Sequence, residues 1–98
     1  MIVENAGIGT EIWKQTEGME STITTNVLST ELLAMLLLPK LRETSVKFNV
    51  VPRISIVSSD LHFFAKFEER KGDDIFATLN KKEGANLKDR FVFVFSIF

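Results

Sequence analysis

The stretch RISIVS at residues 53–58 gathers Ile54, Ile56 and Val57 into one short β-branched run directly after Pro52. Apolar residues on both alternating sets of positions suit a strand covered on both faces, as in a parallel sheet. Upstream, Met19, Ile23, Val27, Leu28, Leu32, Met35, Leu36 and Leu41 recur at spacings that fit one long helix from Met19 to Leu41. Pro39 is expected to kink or end that helix, leaving Lys40, Arg42 and Lys47 as a polar exit at its negative end. Further upstream, Ile2 and Val3 are β-formers that run at once into the loop Asn5, Ala6, Gly7, Ile8, Gly9. Strand, glycine-containing loop, long helix and second apolar strand are the parts of an α/β unit with a parallel sheet. Two strands cannot cover both of their own faces. The pattern therefore reads as a central slice of a doubly wound α/β fold, opening at the end of a strand whose beginning is missing.

Downstream of the second strand, HFFAKFEER at residues 62–70 mixes aromatics with charge without a clean period and reads as a loop or short helix over a cleft. Asp73 and Asp74 are positioned to cap a helix running through Ile75, Phe76 and Leu79 to about Lys82, with Gly84 ending it. The terminal FVFVFSIF has high β-propensity and no charge, and needs burial in any complete protein.

Composition narrows the function classes. With 98 residues the chain is one small domain at most. Twelve basic against 13 acidic side chains give a net charge of −1, so no global field points to nucleic acid or an anionic membrane. The lysines Lys81, Lys82 and Lys88 lack the interleaved aromatics of a nucleic-acid site. The absence of Cys removes thiolate metal sites and fits a reducing, cytoplasmic compartment. Nine Phe and no Tyr exclude any tyrosine-based mechanism. No signal peptide is read at MIVENAGIG, and LLAMLLL at residues 32–38 is too short to span a bilayer and reads as a buried helix.

Three places carry chemistry. Asn26 falls within the apolar helical stripe, where an unpaired amide is costly, so it is either paired to a neighbouring backbone group or a polar fixture of an active site. In the second case Asn26→Leu would leave stability unchanged or raise it; in the first, stability would fall. Ser58 and Ser59 stand where the RISIV strand ends, and ligands of open α/β sheets bind at carboxyl ends of strands, although a serine pair before Asp60 is also an ordinary strand exit. The glycines of the Asn5–Gly9 loop allow close approach of the backbone to a ligand. His62 is the only histidine, SSDLH lacks the G-x-S-x-G elbow of a serine hydrolase, and no spaced carboxylate or histidine cluster marks a metal site.

Taken in order, NAG at a strand end, a helix carrying NVLSTELLAMLLLPKLRET and a strand ending IVSS resemble the central part of a short-chain dehydrogenase/reductase. The similarity is greatest to fungal members related to retinol dehydrogenases. ENAGIGTEIWKQTEGMESTITTNV, RISIVSSDLHFFAKF and NLKDRF carry it, from residue 1 to about 91, and residues 92–98 diverge as an apolar tail. The resemblance implies a partial NAD(P)-binding Rossmann-like domain over residues 1–98. It implies a parent oxidoreductase acting on a small-molecule alcohol or carbonyl with NAD or NADP.

By the same resemblance, Asn5, Ala6 and Gly7 match the motif that supports the central sheet beside the cofactor, with Glu4 in place of its first Asn. Asn26 matches the helix asparagine that organises a water in the proton relay, and Ser59 the catalytic serine. The tyrosine and lysine positions of Y-x-x-x-K fall on Phe91 and Phe95, which removes the proton donor and a cofactor anchor together. The glycine-rich pyrophosphate loop has no counterpart. The chain as written is therefore expected to be catalytically inactive and not to bind the cofactor, as an internal fragment or truncated gene product would be. The alternative is a non-catalytic protein that pairs with another subunit, or with itself, through the long helix and apolar tail.

Overall fold

The computed structural model describes residues 1–58 and 63–89. The described elements run β1 (Ile2–Glu4), β2 (Gln15–Thr16), β3 (Met19–Glu20), α1 (Ser21–Ile23), a π-helical stretch Thr24–Ser29, α2 (Thr30–Phe48), β4 (Ile54–Ile56), a 3-10 turn Glu68–Lys71 and α3 (Ile75–Leu79). β1 and β4 pair in parallel, with Ile2 opposite Ile54, Val3 opposite Ser55 and Glu4 opposite Ile56. The expected strand–helix–strand unit with a parallel sheet is present. The expected first strand extends one residue further, to Glu4, and the second covers Ile54–Ile56.

α1, the π stretch and α2 join into a single helix, Ser21–Phe48, of 28 residues, about 42 Å long. Its start is set by Glu20, which is fully buried. The Glu20 carboxylate accepts from the Thr22 amide at 3.0 Å, the Ile23 amide at 3.2 Å and the Ser21 hydroxyl at 3.3 Å. A carboxylate there satisfies otherwise orphaned amides and sits at the positive end of the helix dipole. Pro39 does not end the helix, which runs nine residues further to Phe48. A proline removes one amide donor, and the residues after it are held by the Lys40–Glu43 ion pair at 2.8 Å and a Thr44 hydroxyl bond to the Lys40 carbonyl at 2.9 Å. The actual stop is Asn49, at φ 50° in the left-handed region that asparagine tolerates.

The LLAMLLL run is not buried within the described structure: Leu32, Met35 and Leu36 are 56, 66 and 67% exposed. Two strands of three residues are too narrow to cover the apolar run at residues 32–38. The core lies elsewhere, beyond the carboxyl ends of the strands, where Ile23, Val27 and Leu79 are buried and Met19 and Phe67 pack against them. Two loops build this cap. The first, between β1 and the long helix, folds β2 and β3 into an antiparallel hairpin with Gln15 opposite Glu20 and Thr16 opposite Met19. Its two-residue turn, Glu17 at φ 54° and Gly18 at φ 81°, has the paired positive angles that match strand twist. The second follows β4 and carries α3, capped as expected by Asp74, whose carboxylate accepts from the Ala77 amide at 2.9 Å. α3 ends at Leu79 rather than near Lys82.

Candidate functional site

β1 and β4 deliver their carboxyl ends to the same side of the molecule. The last rung between them is the Val57 amide donating to the Glu4 carbonyl at 2.9 Å. Asn5, Ala6 and Gly7 leave β1 at this point and are exposed, as is Ser58 leaving β4. The parallel pairing thus brings the two sequence-predicted strand exits side by side. Ser59, Asp60 and His62 lie outside the described residues, as do the sequence positions Phe91 and Phe95.

Asn26 sits in the π-helical stretch and is 8% exposed. Its Oδ1 accepts from the Ile8 amide at 2.8 Å, and its Nδ2 donates to the Ile8 carbonyl at 2.7 Å. The side chain therefore reads both backbone groups of the residue that follows Gly7 and ties the helix to the loop leaving β1. Of the two sequence readings, the one in which the amide is satisfied by a neighbouring backbone group describes this geometry. A functional Asn26 would act from that tethered position. π-helical turns concentrate at functional sites because the extra residue re-aims side chains, and here the stretch carries Asn26 toward the loop.

The two loops are joined to one another along a polar seam. Asn80 donates to the Gly18 carbonyl at 2.9 Å and accepts from the Gln15 side-chain amide at 3.0 Å. Lys82 stands 5.9 Å from the Trp13 ring centroid, and Lys88 pairs with Glu11 at 3.5 Å. Within the second loop, Asp89 accepts from the Lys66 amide at 2.8 Å and the Phe67 amide at 2.9 Å. This clamp holds Phe67 at φ 45°, a strained angle for an aromatic residue, with its side chain against the core. Glu20, Asn80 and Asp89 were not legible in the sequence. Each is a common polar residue in a polar stretch, and the partners of Asn80 and Asp89 lie 22 to 65 residues away.

The hydrogen bond and charge attraction of Lys71 hold the Glu68 carboxyl below its ordinary value. Among the described residues no group of three or more His, Cys, Asp or Glu is arranged to hold a metal ion. For a dinucleotide the fit is partial. The exposed Asn5–Gly7 backbone stands at strand ends, where such ligands bind. The N-terminus of the long helix, a natural seat for a pyrophosphate, is instead filled by the Glu20 carboxylate. These residues do not complete a cofactor site. By length and composition alone the Ser21–Phe48 helix is able to cross a membrane. Its first turns instead bury Ser21, Thr22, Thr24 and Asn26 against the cap, as a core helix does.

The chain is 44% identical over 90 residues to the short chain dehydrogenase FGM9 of Gibberella zeae, covering 92% of the chain and 26% of that protein. It is 42% identical over 93 residues to the short chain dehydrogenase atnD of Emericella nidulans, covering 93% of the chain and 30% of the relative. To the short-chain dehydrogenase anuD of Penicillium roqueforti it is 40% identical over 90 residues, 92% of the chain and 24% of the relative. The chain thus spans about a quarter of the length of the curated relatives it matches. No family model matches it, and no solved structure matches it.

Proposed function

The chain belongs, over the stretch it shares with these fungal relatives, to the short-chain dehydrogenase/reductases, and we propose that it is the central slice of such an oxidoreductase. In this reading the two strands belong to a wider doubly wound, Rossmann-like sheet. The whole protein transfers a hydride between NAD or NADP and a small-molecule alcohol or carbonyl in a reducing, cytoplasmic compartment. The observation that carries the reading is the tether between Asn26 and Ile8, which holds a helix amide beside the Asn5–Gly7 loop at the carboxyl ends of two parallel strands.

The residues take separate roles. Asn5, Ala6 and Gly7 present their backbone to the cofactor edge. Asn26 fixes that loop and orients a water for proton transfer. Ser59 donates a hydrogen bond to the substrate oxygen, stabilising the charge that develops there. The nicotinamide supplies or accepts the hydride when it is bound. Phe91 and Phe95 at the tyrosine and lysine positions leave this chain without an acid–base pair, so the 98 residues alone do not turn over substrate.

The test grafts residues 1–89 into a complete homologous reductase that supplies the glycine-rich loop and an intact Y-x-x-x-K. In that chimera Ser59→Ala lowers kcat/KM by roughly 100-fold, the scale of losing one preorganised donor. Ser58→Ala does much less. Equal activity of the chimera and its Ser59→Ala variant at matched folded concentration overturns the assignment of Ser59.

The exposed apolar residues Leu32, Met35 and Leu36 favour one second reading, a non-catalytic protein that pairs with another subunit or a second copy. Stable assembly of the chain without nucleotide, together with an inactive chimera, would favour it.

A further inference from the structure

Asp89 is the last described residue, two positions before Phe91, where the resemblance places the tyrosine of Y-x-x-x-K. Two residues of chain reach at most about 7 Å, so whatever fixes Asp89 limits where position 91 can go. Three contacts hold the chain at this point. The Asn86 side-chain oxygen accepts from the Asp89 amide at 3.2 Å, at the start of a helical turn over residues 87–89. The Asp89 carboxylate spans two consecutive amides, accepting from Lys66 on Oδ1 at 2.8 Å and from Phe67 on Oδ2 at 2.9 Å. One residue earlier, Lys88 reaches Glu11 at 3.5 Å.

The segment entering position 91 is thus tied to the loops leaving both strands, Glu11 after β1 and Phe67 after β4. The two ties are unequal. Both side chains of the Lys88–Glu11 pair are well exposed, and such pairs contribute little. A half-buried carboxylate on two backbone amides makes the shorter, charge-assisted kind of bond. That clamp also carries strain, since it keeps Phe67 at φ 45°. Such angles persist where the surroundings over-determine them, and they gather at functional sites. The Phe67 side chain packs on Ile23, Val27 and Leu79, so the carboxylate refers Asp89 to the core of the cap.

We propose that Asp89 is a positioning residue for the proton donor: anchored on the Lys66 and Phe67 amides, it sets where the tyrosine two residues on enters the site at the strand ends. The proposal rests on the oxidoreductase reading. Asp89 acts through the chain and exchanges no proton with the substrate. Its leverage comes from geometry, because a reacting group displaced by about 1 Å can lose roughly 100-fold in rate. Displacement also takes a phenol away from the lysine whose positive charge favours its ionised form. Loss of Asp89 therefore alters both the rate and the pH at which the tyrosine works.

The test uses the chimera that carries residues 1–89 ahead of the host's intact Y-x-x-x-K, with alcohol oxidation followed against pH at matched folded concentration. Asp89→Ala is expected to lower kcat by roughly 10- to 100-fold while KM changes little. The midpoint of the kcat–pH profile is expected to move upward, toward the ordinary phenol value near 10. Asp89→Asn, which keeps one acceptor oxygen, is expected to recover part of the rate and part of the midpoint, and it carries the test alone if Asp89→Ala does not fold. A role confined to folding lowers the urea midpoint but leaves kcat per folded molecule and the pH midpoint at parent values, and that result overturns the proposal. Where Ser59→Ala still lowers the rate in the same chimera, the oxidoreductase reading survives that outcome. A folded chimera without activity overturns both.

Discussion

The side-chain amide of Asn26 and the backbone of Ile8 exchange two hydrogen bonds, of 2.8 and 2.7 Å, across 18 residues of sequence. Through this contact a buried polar side chain of the long helix grips the loop leaving β1. Of the two stability outcomes open for an apolar substitution at this position, it favours a loss.

Asn26→Leu is expected to lower unfolding stability by about 1 to 3 kcal/mol, because it leaves the Ile8 amide and carbonyl without the partners they have. Asn26→Asp keeps an acceptor for the amide but loses the donor and turns a carboxylate oxygen toward the Ile8 carbonyl, so it destabilises as well. Urea titration of the three proteins measures both effects, and a rise in midpoint for Asn26→Leu would sink the account.

Glu20→Ala removes the cap of the long helix and leaves the Thr22 and Ile23 amides without the acceptor they have. A loss of roughly 0.5 to 2 kcal/mol is typical of helix caps, and the full burial of Glu20 puts the expectation at the upper end. Circular dichroism should show helix content falling along with stability. Unchanged helicity and stability would mean that the carboxylate is dispensable.

Asp89→Ala opens the clamp on Lys66 and Phe67. The amides of both residues should exchange with solvent faster, and Phe67 should loosen from Ile23, Val27 and Leu79 as its strained angle relaxes. Asp89→Asn keeps one acceptor oxygen and should preserve only part of the protection. Exchange rates at Lys66 and Phe67 that match the parent in Asp89→Ala would show that the turn holds its shape unaided.

The lowered carboxyl of Glu68 sets the sign of one pH dependence. The folded chain binds this proton less readily than the unfolded chain, so the Glu68–Lys71 pair contributes stability above the ordinary carboxylate range. That contribution disappears as the pH falls through the lowered folded value. Both side chains are well exposed, so the effect is small and fades with added salt. Comparing pH–stability curves of the parent and Glu68→Gln isolates it, and a larger advantage of the parent at acid pH would contradict the sign.

The period of Met19 to Leu41 and the β-branched runs at Ile2 and Ile54 made the helix and the parallel strands legible, because burial patterns of that kind are written in adjacent residues. Pro39 hides the helix's length, because its cost of one hydrogen bond is outweighed by the helix-forming residues beyond it, which carry the helix to Phe48. The hairpin leaves little mark on the sequence, because Glu17-Gly18 is a weak turn signal beside Asn-Gly or Asp-Gly. Asn26 was singled out by its misfit on an apolar stripe, but its partner Ile8 was not, since a backbone acceptor leaves no mark on residue type. The cap clamps of Asn80 and Asp89 join positions that no local window contains.

The seam between the two loops also bears on the order in which the chain acquires its shape. Asn80 meets Gln15 and Gly18 across 65 and 62 residues, whereas the long helix needs only neighbours four apart. Closing so distant a contact costs chain entropy before any packing rewards it. The helix can therefore form early, while the hairpin waits, unlatched, for the segment around Leu79 and Asn80 to arrive. A chain emerging from the ribosome would leave Met19, Ile23 and Val27 without their Phe67 and Leu79 partners until that segment is made.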